Sequence, residues 1–204
     1  MSNYIYEHFK KIFNENGFRL FMIGGTSRDY LLNKEILDYD FVTDATPDQM
    51  KDFVENGNFV FAKFGCVKTK YDSFNIDITT LREESKYVDS RHPNEILFTN
   101  SIEIDSKRRD FTINALYIDE NYQVFDFYNG LDDLNNKILR MIGNPDERLV
   151  EDPLRILRAY RFATLYSLNI DKKLNASIIK NKNLLSKLRK EKINEELNKL
   201  LKNV

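Results

Sequence analysis

Residues 36–43, Ile-Leu-Asp-Tyr-Asp-Phe-Val-Thr, place two carboxylates two positions apart inside an apolar, β-branched run. Apolar residues at alternating positions predict a strand, on which Asp38 and Asp40 project from the same face. Aspartate is depleted in strands, and two like charges on one face repel each other. The pair is therefore expected to share a proton or to bind a cation. An Asx-type turn or a solvent-facing strand end is the alternative for an isolated Asp-x-Asp pattern.

A magnesium site is the functional interpretation of this pair. Hard divalent cations such as Mg²⁺ bind one or two carboxylates together with phosphate oxygens of a substrate. Asp77, in residues 74–80, is a third acid that a neighbouring strand could supply. Gly24 and Gly25 follow an apolar run and precede a predicted helix, so their backbone N–H groups could approach a phosphate. Arg28, on the first turn of that helix, could add a charge-assisted contact. Together these features are typical of a site that metal ions and a triphosphate share, whereas Gly-Gly alone indicates only a tight turn.

The composition is that of an ordinary globular protein. With 204 residues, 42% of them apolar and 31% charged, the chain can bury one sizeable core or one domain and a smaller second one. Its single cysteine, Cys66, cannot form an internal disulfide and suits a reducing cytoplasm. No apolar run approaches the ~20 residues that span a bilayer, and the N-terminus lacks a signal-peptide pattern. A cytoplasmic protein with no membrane segment is expected.

The net charge of −1 conceals an asymmetry along the chain. Residues 169–204 contain ten Lys and Arg and four Asp and Glu, a balance of +6, which leaves −7 for residues 1–168. A basic segment joined to an acidic body favours a polyanionic partner, although a solvated helix surface would carry the same charges.

The hydrophobic pattern predicts an α/β portion with a mixed sheet, followed by an all-helical portion. Helices are expected over residues 4–16 (closed by Gly17), 26–34 and 46–57. Strands are expected over residues 18–23, 38–43, 59–71, 74–81 and 122–128, with a turn around Asp72 between the third and the fourth. Residues 108–119 are expected to begin as a helix and end as a strand, and residues 82–99 to form a polar loop. Everything from Pro153 onward is expected to be helical. A first domain of residues 1–145 and a second of residues 146–204 are therefore predicted.

Residues 108–114, Arg-Arg-Asp-Phe-Thr-Ile-Asn, concentrate polar groups where this helix is predicted to begin. The arginines, Arg109 among them, suit phosphates, and Asp110 could accept a hydrogen bond from a ribose hydroxyl. Asn114 belongs to the same candidate nucleotide-binding cluster. A surface salt-bridge cluster is the alternative, plausible for any one residue and less so for the set.

Residues 151–163, Glu-Asp-Pro-Leu-Arg-Ile-Leu-Arg-Ala-Tyr-Arg-Phe-Ala, carry a row of charges on a predicted helix. Pro153 is expected at the first helical position, with Asp152 near the N-cap. Asp152 and Arg155 are three positions apart and should share a face, and Arg158 and Arg161 continue that row. The alternative is a capped helix with i,i+3 ion pairs, which is open for both Arg158 and Arg161. Arg158 is also a candidate nucleotide-binding residue.

These motifs, in this order and spacing, resemble one protein family. Residues from about 21 to 163, and more weakly to about 201, are similar to the head and neck of class II tRNA nucleotidyltransferases (the CCA-adding enzymes) and of their bacterial poly(A) polymerase relatives in the polymerase-β-like superfamily. The resemblance rests on GG…RD (residues 24–29), DYDFVTDATP (38–47), RRDFTINAL (108–116), DFYNGLDDL (126–134) and EDPLRILRAYRFA (151–163). It implies a polymerase-β-like nucleotidyltransferase head with a mixed sheet, followed by an all-helical neck.

The resemblance also implies roles for residues of the predicted head. Asp38 and Asp40 would be the catalytic acids and would bind two Mg²⁺ ions. Arg28 would help to hold the triphosphate of the incoming nucleotide. Asp110 and nearby Arg109 would contact its ribose and phosphates.

For the neck, the resemblance implies that Asp152 and Arg155 read the incoming base. Residues 87–95, Tyr-Val-Asp-Ser-Arg-His-Pro-Asn-Glu, resemble the flexible loop that the family associates with the switch to the final adenosine. Asp89 and Arg91 are the candidate functional residues of this loop.

The implied reaction is attack of a tRNA 3′-hydroxyl on the α-phosphate of CTP or ATP, with release of pyrophosphate. Poly(A) addition and non-catalytic RNA binding are the alternatives.

The sequence departs from the family at Ser27, where an apolar residue is usual, and at Lys192, where an arginine is usual. Relatives also continue beyond the position of Val204 into body and tail domains, so those domains are expected to be absent here and a second subunit is a possible partner.

Overall fold

The computed structural model describes residues 3–84 and 96–201, which fold into two compact units. Within these residues, the first unit comprises residues 3–84, 96–108 and 114–127, and the second comprises residues 109–113 and 128–201. The chain therefore enters the second unit for five residues before it completes the first. Division into functional domains at residues 145 and 146 stays a prediction; by packing, residues 128–145 group with the second unit.

Within the described part of the chain, the first unit is built on a six-stranded mixed sheet, and the predicted fold class is confirmed. Its helices are α1 (Tyr4–Glu15), α2 (Gly24–Leu31), α3 (Pro47–Met50) and α4 (Ile102–Lys107). Its strands are β1 (Leu20–Met22), β2 (Asp38–Thr43), β3 (Cys66–Tyr71), β4 (Phe74–Thr80), β5 (Arg82–Glu84), β6 (Ile96–Phe98), β7 (Leu116–Ile118) and β8 (Val124–Asp126). The sheet has the order β3-β4-β2-β1-β7-β8; β2 and β4 run parallel, and the other neighbours are antiparallel. Strands β5 and β6 form a separate antiparallel pair.

Strand β2 places its aromatic residues in the core and its acids on the other face. Tyr39 and Phe41 are almost fully buried, and the ring of Phe41 lies 5.6 Å from that of Tyr6 on α1. Because side chains alternate along a strand, this burial directs Asp38 and Asp40 away from the core. The hydrophobic core thus fixes the orientation of the two acids.

The helix predicted from Thr46 to Gly57 is a single turn, α3. Its beginning is as expected, because the Thr46 side chain and Gln49 form a reciprocal capping box. After α3 the backbone continues in turns, in which the N–H of Asp52 donates to the carbonyl of Gln49 at 3.2 Å. Asp, Asn and Gly in residues 52–57 have low helix propensity and do not prolong the helix.

The strand predicted over residues 59–71 begins only at Cys66. Residues 62–64 form a 3₁₀ turn that ends at Gly65, whose φ of +78° favours glycine. The N–H of Asn58 donates to the carbonyl of Lys68 at 2.7 Å, and the N–H of Lys68 donates back at 3.1 Å. Residues 58–65 are therefore tied to β3 as a closed loop, called here the 58–65 loop. The turn predicted around Asp72 is confirmed and joins β3 to β4.

The helix predicted to begin in residues 108–114 is wrong. Helix α4 ends at Lys107, before this segment, and residues 112–114 form only a 3₁₀ turn. Phe111 forms an antiparallel bridge with Met141, and the N–H of Thr112 donates to the carbonyl of Arg140 at 3.0 Å. These pairings with a later part of the chain override the local helical preference. The strand predicted next is present as β7.

The second unit is mainly helical. Its elements are α5 (Gly130–Asn135), β9 (Ile138–Leu139), α6 (Pro145–Glu151), α7 (Leu154–Leu165), β10 (Asn169–Ile170), α8 (Lys172–Asn181), a 3₁₀ helix (Lys182–Lys187) and α9 (Lys190–Leu201). Strand β10 pairs with β9 in parallel and departs from the all-helical prediction. Phe111 is fully buried in this unit, with its ring 5.8 Å from that of Phe162. In residues 3–84 and 96–201, no helix is long and apolar enough to cross a membrane.

Candidate active site

The paired acids of β2 are each oriented by a neighbouring polar group. Asp38 is exposed, and its Oδ1 accepts a hydrogen bond from Asn75 Nδ2 on β4 at 2.8 Å. Asp40 is half-buried, and its Oδ2 accepts from the backbone N–H of Gly25 at 3.3 Å. The backbone N–H of Asp40 donates to Thr26 Oγ1 at 2.6 Å. Both acids are thus held side by side on the face of β2 that is directed away from the core.

The two glycines at the start of α2 allow the backbone to approach Asp40 closely. A Cβ atom at either Gly24 or Gly25 would lie 3.3 Å from Asp40 Oδ2, tighter than an ordinary contact. Gly24 also has a φ of +61°, which side chains other than glycine rarely adopt. These positions therefore favour glycine because of the carboxylate beside them. A phosphate contact at this turn stays a prediction.

Two candidate nucleotide-binding residues, Arg28 and Asn114, are in direct contact. The Arg28 guanidinium donates a hydrogen bond to Asn114 Oδ1, and Arg28 is 4% exposed. Its Nε lies 3.7 Å from Asp29 Oδ1. Since a buried guanidinium keeps its charge, it is a preformed cationic centre in the first unit.

Asp77 is brought beside the acid pair by the strand register. In the parallel pairing of β2 and β4, Asp40 is opposite Asp77, and Asp77 is opposite Lys68 on β3. The Lys68 ammonium forms an ion pair with Asp77 Oδ2. Burial opposes the charge on Lys68, but the hydrogen bond that its ammonium donates to Asp77 and the negative charge of Asp77 outweigh burial, so the pKa of Lys68 is raised. Metal binding by Asp77 stays a prediction and would require this lysine to move.

The chemistry of the acid pair fits a hard divalent cation. Asp38 and Asp40 offer carboxylate oxygens, the ligands that Mg²⁺ prefers, and the glycine turn leaves Asp40 in a cradle that any Cβ would narrow. Among the described residues, no three His, Cys, Asp or Glu side chains gather as a metal cage. Mg²⁺ commonly takes one or two protein carboxylates with substrate phosphates and water, so a two-acid site is sufficient.

In the second unit, the arginines of α7 pair with acids from other segments. Arg158 Nε and NH2 donate to Asp110 Oδ2 at 2.8 and 2.6 Å. Arg161 Nε donates to Glu196 Oε2 on α9 at 2.7 Å. Asp110, predicted to contact ribose, is therefore engaged by an arginine in this structure. Ion pairing, the alternative for Arg158 and Arg161, is present, but with distant partners rather than along the helix.

The predicted base-reading residues flank the junction of α6 and α7. Pro153 is the N-cap of α7 rather than its first residue, and Asp152 ends α6, with its Oδ1 accepting from the N–H of Leu154 at 3.0 Å. Arg155 is 5% exposed and donates to Glu151 Oε2 at 3.0 Å and to the Arg148 carbonyl at 2.6 Å. The backbone junction and Glu151 thus hold Asp152 and Arg155 in fixed conformations.

Three other predicted residues are described only in part or not at all. The Arg109 carbonyl accepts a hydrogen bond from Arg148 NH2 at 2.8 Å, so its backbone is anchored in the second unit. Asp89 and Arg91 of the predicted flexible loop lie outside the described residues. Their roles stay predictions.

Sequence reasoning missed three partners of these residues. Glu151 is four positions before Arg155, an i,i+4 spacing that the sequence already displays. Lys68 has no such signal, because its contact with Asp77 depends on strand register. The contact of Glu196 with Arg161 could not be predicted either, because it joins two helices that are distant in the chain.

The buried Glu196 carboxylate makes the stability of the second unit sensitive to acid. Burial would raise its pKa, but the positive charges of Arg161, Arg158 and Lys199 outweigh burial and hold the pKa below its ordinary value. A carboxylate with a depressed folded-state pKa stabilises the fold above its unfolded pKa, near 4.3, and this contribution is lost as the pH falls through the folded value.

We expect Glu196→Gln to lower the free energy of unfolding at pH 7 by roughly 1–3 kcal/mol, because Arg161 loses its charged partner. The loss should shrink as the pH falls below the unfolded-state pKa, about 4.3, and through the lower folded-state pKa. Urea titrations at several pH values measure this, with Glu195→Gln, an exposed neighbour on α9, as the control. A deficit that is constant down to pH 2.5 would contradict the assigned ionisation.

Comparisons with known proteins agree with this architecture. Residues 20–140 match the family model described as the Poly A polymerase head domain. The CCA-adding enzyme of Staphylococcus epidermidis is 38% identical over 174 residues, which are 84% of this chain and 44% of the relative. The crystal structure of the Bacillus stearothermophilus CCA-adding enzyme in complex with CTP superposes with a TM-score of 0.87 at 28% identity, over 98% of this chain and 49% of that one. The crystal structure of a tRNA nucleotidyltransferase complexed with a primer tRNA and an incoming ATP analog superposes with a TM-score of 0.76 at 30% identity. The superposition covers 93% of this chain and 54% of that one.

The fold is that of an α/β nucleotidyltransferase head followed by helices. More particularly, the chain belongs to the poly(A) polymerase head-domain family, whose model covers more than half of its residues. The chain spans about half the length of the curated relatives it matches.

Proposed function

We propose that this protein adds CMP and AMP to the 3′ ends of tRNA by metal-dependent nucleotidyl transfer. The observation that carries the proposal is the pair of acids on β2, fixed beside the glycine turn that begins α2. The curated relatives are named CCA-adding enzymes, and related structures hold CTP, or a primer tRNA with an ATP analog. These names support the proposal for the present chain.

In this proposal, Asp38 and Asp40 hold two Mg²⁺ ions through their carboxylates. Mg²⁺, when bound, neutralises charge on the transferring phosphate and activates the attacking hydroxyl. The Gly25 N–H and Asn75 Nδ2 keep the two carboxylates oriented, so no reorganisation is needed during the reaction. Preorganised charge and positioning account for most of the catalysis in phosphoryl transfer.

Arg28 is proposed to bind the triphosphate from the α2 side of the acid pair. A guanidinium suits phosphate oxygens because its donors form a planar fork. Asn114 holds this guanidinium in place. In the second unit, Arg109, Asp110 and Arg158 are proposed to contribute to nucleotide binding. Asp110 would then exchange or share its arginine partner with the nucleotide.

Base selection is proposed to depend on Asp152 and Arg155. A carboxylate can accept a hydrogen bond from an exocyclic amino group, and a guanidinium can donate one to a ring nitrogen. Glu151 would act as a positioning residue, because it already binds the Arg155 guanidinium. Selection would then need no nucleic-acid template.

The proposal is tested by incubating the protein and Mg²⁺ with tRNA that lacks its 3′-terminal CCA in a mixture of all four nucleoside triphosphates, of which each is labelled in turn. We expect incorporation of CMP and AMP, little of GMP or UMP, and products that stop after three additions. Chelation by EDTA should abolish incorporation. Absence of any incorporation would favour a non-catalytic RNA-binding protein and contradict the proposal.

Poly(A) polymerase activity is the second candidate, because the matching family model carries that name. The same assay separates the two activities. A poly(A) polymerase would extend RNA with many adenylates and would not use CTP.

The proposal also places the protein in the cytoplasm, where its partners are tRNA, CTP and ATP. A second subunit stays a prediction, which a native mass measurement would test.

A further inference from the structure

Polar residues of three neighbouring strands form two rows on the sheet face that carries the candidate acids. One row runs from Asp40 through Asp77 to Lys68, and register pairs each residue with the next. The second row runs from Asp38 through Asn75 to Lys70 in the same register. Directly opposite residues project from the same face, and strands are spaced by about 4.8 Å. The two lysines therefore lie about 10 Å across the sheet from the acids.

Strand β3 is the edge of this sheet, and the 58–65 loop lies against it. Val67 and Thr69 are buried, so Lys68 and Lys70 project to the other face, where Lys70 is exposed. Lys68 Nζ lies 5.9 Å from the centre of the Phe61 ring, which places this ring beside the two rows. Phe61 is 44% exposed although it is a large apolar side chain.

The backbone of the loop holds Phe61 firmly. The Phe61 carbonyl accepts hydrogen bonds from the N–H of Phe64 at 2.9 Å and from that of Cys66 at 3.3 Å. Lys63, exposed on the same loop, has its Nζ 4.8 Å from the centre of the Phe64 ring. The closed loop thus presents an exposed aromatic ring that has Lys68 beside it, and it carries a further exposed lysine, Lys63.

The charge of this region has the sign that a nucleic acid requires. Residues 57–71 contain three lysines and no Asp or Glu, although residues 1–168 as a whole carry a balance of −7. Surfaces that bind single-stranded nucleic acids combine two features. Lysines contact the nucleic-acid backbone, and aromatic rings stack on the bases. A small apolar ligand would make no favourable contact with the lysine ammonium groups.

The direction of the reaction favours the RNA acceptor, rather than the incoming nucleotide, as the ligand of the region around Phe61 and β3. In nucleotidyl transfer the attacking and leaving oxygens are roughly in line across the phosphorus atom. If the triphosphate lies on the α2 side of Asp40, near Arg28, the attacking hydroxyl must come from the opposite side. Within the first unit, that side of β2 is occupied by β4 and then by β3.

We propose that Phe61, Lys63 and Lys70, called here the β3 surface, bind the unpaired 3′ end of the RNA acceptor. Phe61 stacks on a base upstream of the terminal hydroxyl, and the two lysines contact backbone phosphates. Lys68 stays paired with Asp77 and separates this surface from the acids. The inference rests on the proposed function for its occupant, but its residues are distinct from the catalytic ones.

The test is a fluorescence-anisotropy titration of the whole protein with a labelled RNA hairpin that has three unpaired 3′ nucleotides, compared with the same hairpin made blunt. We expect tighter binding of the hairpin with unpaired nucleotides, and a loss of about tenfold in its affinity in Phe61→Ala, in the range of one stacked base. Phe61→Tyr should bind as wild type, whereas Phe61→Leu should behave like Phe61→Ala, because stacking requires an aromatic ring. The blunt hairpin should be little affected.

The lysines are tested by the dependence of affinity on salt. Lys70→Gln and Lys63→Gln should each reduce the slope of log affinity against log salt by about 0.7, the value for one phosphate of a single strand. Lys11→Gln is the matched control, since Lys11 is an exposed lysine on α1 with a side chain that is 75% exposed. Thermal melts establish that each variant is folded.

The inference would be overturned if wild type did not prefer the unpaired 3′ end, or if Phe61→Ala bound both hairpins as wild type does. The inference would also be overturned if Lys11→Gln and Lys70→Gln gave equal slopes of log affinity against log salt. Binding does not require turnover, so Asp40→Asn should bind RNA normally. Absence of nucleotide incorporation by the wild-type protein, together with an intact preference for the unpaired end, would therefore contradict only the proposed function.

Discussion

Asp40→Asn is expected to reduce nucleotide incorporation by roughly a thousandfold or more, because the two-metal site needs both negative charges. Asparagine has nearly the same shape, and its Oδ1 can still accept the hydrogen bond from the Gly25 N–H. What is lost is charge beside the cations, and about 4 kcal/mol of transition-state stabilisation corresponds to this factor. The measurement is single-turnover incorporation of CMP at saturating Mg²⁺.

Asp72→Asn is the matched control for this change. Asp72 lies in the turn between β3 and β4 with a φ of +50°, a conformation that asparagine adopts readily. This variant should retain wild-type turnover, and both variants should melt near the wild-type temperature. Near-normal turnover of Asp40→Asn in Mg²⁺ would remove Asp40 from the catalytic centre.

Asp152→Ala is expected to lose most of the preference for CTP and ATP over GTP and UTP. Cytosine and adenine both present an amino donor beside a ring-nitrogen acceptor, which suits Asp152 and Arg155. Guanine and uracil present a carbonyl oxygen and a ring N–H, which reverses both polarities. Each buried group left unpaired costs roughly 1–3 kcal/mol, so two mismatches correspond to discrimination on the order of a hundredfold. The variant should lose this ratio more than it loses overall turnover, because the acids of β2 remain.

The structure dictates the control for this variant, because Asp152 also accepts a hydrogen bond from the Leu154 N–H. Loss of this hydrogen bond at the start of α7, which resembles that of a helix cap, should cost about 1 kcal/mol of stability whatever the role of Asp152 in base selection. Asp171→Ala removes a similar cap from α8 and should leave the nucleotide preference unchanged. Competition between CTP and UTP at equal concentration measures the preference. An unchanged ratio in Asp152→Ala would move base selection to other residues.

Local features that a short stretch encodes could be predicted well. The alternation in residues 38–43 predicts a strand with both acids on one face, and the buried Tyr39 and Phe41 produce that arrangement. The capping box at Thr46 and the turn at Asp72 follow from local side-chain chemistry in the same way. Such features depend on residues within a few positions of each other, which the sequence displays directly.

Features that depend on distant parts of the chain could not be predicted. Residues 108–114 are expected from the sequence to begin a helix, yet Phe111 pairs with Met141 and only residues 112–114 form a 3₁₀ turn. Asp110 meets Arg158 only because α7 packs beside it in the second unit. The ion pair of Lys68 with Asp77 depends on strand register, which a shift of one residue would abolish.

The path of the chain has a consequence during protein synthesis. Residues 109–113 belong to the second unit although the first unit is completed only by β8. Phe111 therefore emerges from the ribosome well before Phe162, the ring that it meets in the folded protein. At about 5–20 residues per second, this apolar side chain waits several seconds for its partner. During that interval Phe111 lacks the ring that covers it in the folded protein, so the second unit can complete its packing only after α7 has been synthesised.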